Sequence, residues 1–193
     1  MVRYLVQAWL VLLLALGFGA ALAAVQSRLG PRIEQNKRDE TYDQVPRLVA
    51  GAVKERTREL KLKIGGEERA VYKAFDGAGR HVGWVIKAAG QGFADVIELL
   101  IGLDRRGETI TGLYVLENKE TPALGNKIVE PAFRGRFRGK PTARPLKVTK
   151  KPPRADNEIL AISGATVSSE SVTRIVNAAV AEFKRALPAG GGH

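Results

Sequence analysis

From Tyr4 to Val25 the chain is apolar almost without interruption, and Gln7 is the one strongly polar residue in the run. A stretch of about 20 such residues is what a helix needs to cross the hydrocarbon core of a bilayer. Gly17 and Gly19 are tolerated in such a helix, because its backbone bonds are all internal. Tyr4 and Trp9 sit toward one end, where interfacial aromatic residues anchor a span. The expectation is a single-pass anchor over residues 1–27, followed over 28–44 by a polar stalk, or the start of a helix leaving the membrane, that opens at Gly30-Pro31.

The same residues also fit a cleaved signal peptide, with Arg3 as the charged flank and Ala21-Leu22-Ala23 as the small-residue cleavage site. The length and continuity of the run favour a retained anchor. Insertion with the N-terminus first places Pro31 onward outside the cytoplasm. The cations after the span, Arg28, Arg32, Lys37 and Arg38, favour the opposite orientation by the positive-inside rule. The reading adopted is an inner-membrane protein with its C-terminal domain on the extracytoplasmic side.

Beyond the stalk the pattern changes to that of a folded domain, expected over 45–188, with a Gly-rich tail over 189–193. Val45, Leu48, Val49, Ala52 and Val53 recur at helical spacing, which predicts a helix from Val45 to Leu60 ended by Gly65-Gly66. Strands are then expected at Arg69–Phe75, His81–Ala89, Ala94–Leu103 and Glu108–Glu117. The turns Asp76–Gly79 and Asp104–Gly107 and a break at Gly90-Gln91-Gly92 separate them. Strands joined by short Gly-rich turns pair antiparallel. Lys119 to Gly125 reads as a loop, the Pro- and Lys-rich Lys140–Arg154 as surface, and Ile159–Ile162 as a short strand. Val172, Ile175, Val176, Ala179, Val180, Phe183 and Leu187 then define an amphipathic helix. Ser168 or Ser169 is the expected cap, with Glu170 in the first turn and Lys184 and Arg185 in the last. Pro188 and Gly190 stop it. The fold class is therefore α+β: an N-terminal transmembrane helix, then one domain with a mainly antiparallel sheet and flanking helices.

Composition removes several kinds of chemistry. The 193 residues include no cysteine, which excludes disulfides, thiolate catalysis and iron–sulfur ligation by this chain. Two histidines are too few for a histidine metal site, so no metal site is expected. Redox chemistry here needs an organic cofactor or a metal held by a partner. The net charge of +11 suits anionic lipid or acidic partners. No helix-turn-helix, zinc-finger or aromatic RNA-binding signature accompanies it, so no nucleic acid is expected. The basic stretch from Arg134 to Arg154 reads as solvated surface, or as a face toward headgroups or acidic neighbours. Trp84 and Phe93 read as core or sheet-face aromatics, with stacking on a ring ligand as the alternative.

The segment Ser163-Gly164-Ala165-Thr166 lies just ahead of the last helix. A helix N-terminus offers unpaired N–H donors and a partial positive charge, which together hold a phosphate. Gly164 and Ala165 leave room for a bulky group, and Ser163 and Thr166 supply hydroxyls. On local grounds alone the same residues make an ordinary loop before a helix.

Two motifs in order, Leu116-Glu117-Asn118-Lys119-Glu120-Thr121-Pro122-Ala123-Leu124-Gly125-Asn126-Lys127-Ile128 and Ser163–Thr166, follow the membrane segment. With these features the chain resembles the G subunits of Rnf electron-transport complexes. It is similar, more loosely, to the C subunits of sodium-pumping NADH:quinone reductases. Both are members of the FMN-binding domain family. The resemblance implies that Thr166 is esterified to the phosphate of FMN by a flavin transferase. It implies that Glu120, Thr121, Leu124 and Gly125 lie beside the flavin, with Ser163, Gly164 and Ala165 completing the site. It also implies an electron-carrier role, with no catalytic residue of its own, among the other subunits of an Rnf-like ferredoxin:NAD oxidoreductase that moves Na⁺ or H⁺. Three positions depart from the pattern: Ala123 replaces a glycine, Asn118 stands where many members have histidine, and Leu160 stands where aspartate precedes the threonine by six residues. Two alternatives remain at this stage. One is an anchored domain of the same fold that binds flavin loosely or not at all. The other is a membrane-tethered basic module for polyanions.

Overall fold

The computed structural model describes residues 2–64 and 67–187. The expected stops at Gly65-Gly66 and at Pro188 and Gly190, and the Gly-rich tail, lie outside the described residues. The chain divides into two compact units, Met1–Glu40 and Thr41–His193.

The first unit is helical throughout its described length and belongs to α1 (Val2–Leu48). Its side chains from Trp9 to Leu29 are all exposed. The helix is long and apolar enough to cross a membrane, by length and composition.

The second unit holds a five-stranded antiparallel meander in the order β1 (Arg58–Ile64), β2 (Glu67–Phe75), β3 (His81–Gln91), β4 (Val96–Asp104) and β5 (Ile110–Glu117). A short helix α2 (Pro131–Arg134) follows, flanked by 3-10 turns at Gly125–Val129 and Gly135–Phe137. Two short strands, β6 (Lys147–Thr149) and β7 (Glu158–Leu160), pair in parallel before α3 (Thr166–Ala186) closes the unit. This is the α+β class expected from the sequence.

The sheet is covered on both faces, and strand alternation shows how. Trp84, Ile86 and Ala88 of β3 and Ile97, Leu99, Ile101 and Leu103 of β4 pack with Val172, Val176 and Phe183 of α3. The intervening Val85 and Leu100 pack on the other face with Val45, Leu48, Val49 and Ala52. That is why β4 reads as a nearly continuous apolar run: a strand buried on both faces loses its polar alternation. Full burial of each such side chain is worth about 1.5–3 kcal/mol.

Several boundaries differ from the sequence expectation. The helix does not continue to Leu60; it ends at Leu48, and Gly51 adopts a left-handed φ of 80°. The helical spacing of Val45, Leu48, Val49 and Ala52 is genuine, since all four are buried. The chain turns nonetheless, because Val53 N donates to Phe75 O (2.8 Å) and fixes the segment to the sheet edge. Residues after it then pair as β1, with Arg58 opposite Lys73. The break at Gly90–Gly92 is also later than expected, since β3 runs on to Gln91. Gly90 is small because a Cβ there would lie 2.6 Å from Cγ1 of Ile175 in α3. The segment read as surface contributes β6, which pairs with β7.

Close approach on the other face makes a test. A Cβ on Gly83 would lie 2.4 Å from Leu103 O and 2.7 Å from Val49 Cγ1. A backbone oxygen cannot yield as a side chain does. Gly83→Ala is expected to cost about 2–3 kcal/mol in urea-induced unfolding. An unchanged midpoint would show that the 45–52 segment does not press on the sheet there.

Candidate functional site

Three segments converge at the N-terminus of α3: the β3–β4 turn around Gly92–Asp95, the loop Asn118–Gly125, and Ser163–Ser169. Glu120 joins them. Its side chain is buried, and Oε1 accepts the amides of Phe93 (2.8 Å) and Ala94 (3.1 Å) while Oε2 accepts the Ser168 hydroxyl (2.5 Å). Two glycines make room for this carboxylate. A Cβ on Gly92 would lie 2.3 Å from Oε1, and one on Gly125 2.7 Å from Oε2. Asn118 Oδ1 also accepts the Glu120 amide at 3.3 Å.

α3 begins at Thr166, with Ala165 as the residue before it, so Ser168 and Ser169 lie inside the first turn rather than capping it. Glu170 consequently falls beyond the first turn, and that turn contains no acidic residue. Both serines are buried and act on the approach to the helix. Ser169 Oγ accepts Ile162 N (3.0 Å) and donates to Ala165 O (2.9 Å). Gly164 turns the chain at a φ of 82°, where a side chain is strained. The first helical bond runs from Ser169 N to Ala165 O, and no side chain caps the end. The amides of Thr166, Val167 and Ser168 therefore remain for a ligand, at the positive end of a 21-residue helix.

A pocket of about 310 Å³ opens beside these amides, lined by Phe93, Thr121, Leu124, Gly125 and the run Gly164–Ser168. Its rim is apolar: Phe93 is 63% exposed, Leu124 48% and Val167 50%. Exposed side chains of that size around one cavity suit a flat ring system or a partner surface. Thr166 is half-buried and lines the pocket, at the first position of α3.

Of the residues singled out in the sequence, Thr166, Gly164, Ala165, Thr121, Leu124 and Gly125 line this pocket. Glu120 lies behind it as the brace. Ser163 is exposed and outside the lining. Phe93, expected as a core or sheet-face residue, is instead an exposed rim residue. It follows Gly92 at the end of a strand, and sequence pattern does not reveal which way a turn residue faces. Trp84 is core, with Nε1 donating to Arg105 O at 3.1 Å. Val167 and the Ser168 hydroxyl escape sequence reasoning as site groups, because the helix periodicity starts after them. No cluster of His, Asp and Glu that can hold a metal occurs among the described residues.

Ala123, where the resemblance expects glycine, is the non-glycine residue with positive φ (62°) among those described. Leu124 beside it has an unusual backbone as well (φ −121°, ψ −85°). Ala123→Gly is expected to raise stability by about 0.5–1 kcal/mol, since relief of left-handed strain exceeds the entropy that glycine adds to the unfolded chain. A lower melting temperature for this variant would show that the loop carries no such strain.

The model of the FMN-binding domain family matches residues 92–181, which spans all three segments of the site. Over this segment, just under half of its length, the chain is similar to the FMN-binding domain family. Among its relatives is the G subunit of the ion-translocating oxidoreductase complex of Methanosarcina acetivorans. The two are 39% identical over 109 residues, covering 56% of this chain and 55% of the relative. Another is the G subunit of the Na⁺-translocating ferredoxin:NAD⁺ oxidoreductase complex of Acetobacterium woodii, 33% identical over 108 residues (55% and 51%). The chain thus spans about half the length of the curated relatives it matches. The crystal structure of NqrC from Shewanella oneidensis superposes with a TM-score of 0.54 at 25% identity, over 61% of this chain and 58% of that one. The C subunit of the Na⁺-translocating NADH-quinone reductase of Parabacteroides distasonis shares the fold, with a TM-score of 0.61 at 18% identity over 80% and 95%.

Proposed function

We propose that this chain is a membrane-anchored electron carrier with FMN esterified through its phosphate to Thr166. The observation that carries the reading is the juxtaposition of the Thr166 hydroxyl, the three open amides of α3 and the Glu120–Gly125 loop around one pocket. The residues fit the group. The amides of Thr166–Ser168 would hold a phosphate, and the apolar rim of Phe93, Leu124 and Val167 would take the rings. Bound FMN would supply one- and two-electron redox chemistry, which this cysteine-free chain lacks. The protein's part is to hold the cofactor and keep it from being lost. Glu120 fixes the loop against the helix, and the phosphoester through Thr166 Oγ makes attachment permanent.

The remaining parts of the proposal follow from the relatives and from α1. The chain serves in an Rnf-like complex that couples ferredoxin:NAD electron flow to movement of Na⁺ or H⁺, beside the other subunits of that complex. α1 anchors it in the inner membrane over residues 1–27, with 28–44 leading to the domain over 45–188. The domain lies on the extracytoplasmic side, where a flavin transferase modifies it.

The test is the intact mass of the denatured protein from its own host membranes. A gain of FMN less one water is expected. Leu160 favours one second reading, a domain that binds flavin without a covalent bond. Its side chain supplies no carboxylate, and its carbonyl is occupied by Arg136 Nη1 at 2.6 Å. Free FMN released on denaturation, with an unmodified chain mass, would establish that reading instead.

A further inference from the structure

Between residues 131 and 155 the chain carries nine Lys and Arg and no Asp or Glu. The fold uses only some of these charges. The Arg134 guanidinium lies over the Tyr114 ring, Arg136 donates to the Leu160 and Ala161 carbonyls, and Arg144 pairs with Asp156 at 2.7 Å. Lys147, Lys150, Lys151 and Arg154 are exposed, and no carboxylate among the described residues forms an ion pair with the three lysines. The nearest acid in sequence beyond Asp156, Glu158, is committed to the backbone. Its carboxylate accepts the amides of Arg154 (2.7 Å) and Ala155 (3.3 Å), which hold its pKa below the usual range.

These cations stand on an ordered platform. Lys147 begins β6, which is paired to β7, and its amide donates to Asn157 O at 2.9 Å. The Thr149 hydroxyl donates to Lys151 O and accepts Lys151 N, both at 3.1 Å. Pro152-Pro153 then stiffens the approach to Arg154. No large hydrophobic residue between 131 and 155 is exposed. Protein interfaces draw their energy from buried aromatic and apolar anchors, which this surface lacks. A layer of anionic headgroups needs only concentrated positive charge.

We propose that the Lys147–Arg154 platform docks on anionic lipid headgroups of the membrane in which α1 is anchored. The inference goes beyond the flavin reading and depends only on insertion of α1. Docking of this kind weakens with salt, as interactions of exposed charges do.

The test places the full chain in nanodiscs of phosphatidylcholine alone, or of phosphatidylcholine and phosphatidylglycerol in equal parts. Lysine acetylation is followed residue by residue by mass spectrometry. In the anionic discs, labelling of Lys147, Lys150 and Lys151 is expected to slow by at least about threefold. High salt is expected to restore it, while Lys61 on β1 labels equally throughout. The double variant Lys150→Gln, Lys151→Gln is expected to abolish the protection of Lys147 with an unchanged circular dichroism spectrum. Equal labelling in the two discs would overturn the proposal, as would protection that arises only on adding an acidic protein or nucleic acid. If the chain does not co-elute with discs, the anchor reading fails, and the same labelling with added anionic vesicles decides the basic surface by itself.

Discussion

Thr166→Ala is expected to abolish covalent flavin completely while the domain keeps its fold. The wild-type chain should exceed its sequence mass by FMN less one water, and the variant should match its sequence mass. Thr166 is half-buried and no hydrogen bond of its side chain braces the fold, so removing its hydroxyl should change stability by less than about 1 kcal/mol. Thr166→Ser keeps a hydroxyl at the same helical position and should retain flavin in part. The pair separates loss of the attachment atom from loss of structure. A Thr166→Ala chain that still carries the added mass would move the attachment elsewhere and refute the assignment. The exposed Ser163, outside the pocket lining, would then be the first residue to replace.

The second large effect is expected at Glu120. Glu120→Ala leaves three donors without their acceptor: the amides of Phe93 and Ala94 and the Ser168 hydroxyl. Unpaired buried donors cost about 1–3 kcal/mol each when water cannot reach them. Part of this site is open, so the total loss should be about 2–4 kcal/mol, a fall in melting temperature of roughly 5–15 °C for a chain of this size. Flavin occupancy should fall too, since the loop carrying Thr121, Leu124 and Gly125 is no longer tied to α3. Glu120→Gln preserves the shape and one acceptor oxygen, and Ser168 can accept from its amide group. It should recover about half of the stability lost. A melting temperature unchanged in Glu120→Ala would show that the carboxylate does not brace the loop against α3.

Strand positions β2 to β5 were legible because turn residues and β-branched runs are local signals. Asp76 shows how local they are: its carboxylate accepts the amides of Ala78 and Arg80 within its own turn. The end of α1 was not legible. Val45, Leu48, Val49 and Ala52 carry a helical spacing because all four must face the sheet, and spacing alone does not distinguish a helix from a turn that buries the same side chains. Likewise β6 was hidden in a Lys- and Pro-rich stretch. Its pairing with β7 joins residues separated by a long connection, and strand propensity contributes little to it.

At the site, the two motifs pointed to the residues of the pocket, but not to the division of labour among them. The sequence by itself determined the apolar run able to span a membrane, the absence of cysteine thiols, the antiparallel meander and the Thr166 hydroxyl at a helix start. Each is a property of neighbours along the chain. The tertiary structure decided that Glu120 is a buried brace, that Phe93 forms the rim, and that Ser168 and Ser169 tie the helix to its surroundings rather than cap it. Those roles rest on contacts between residues up to 48 positions apart, as between Glu120 and Ser168. Side-chain type says that a carboxylate or hydroxyl needs a partner, and only the fold brings one within hydrogen-bonding distance.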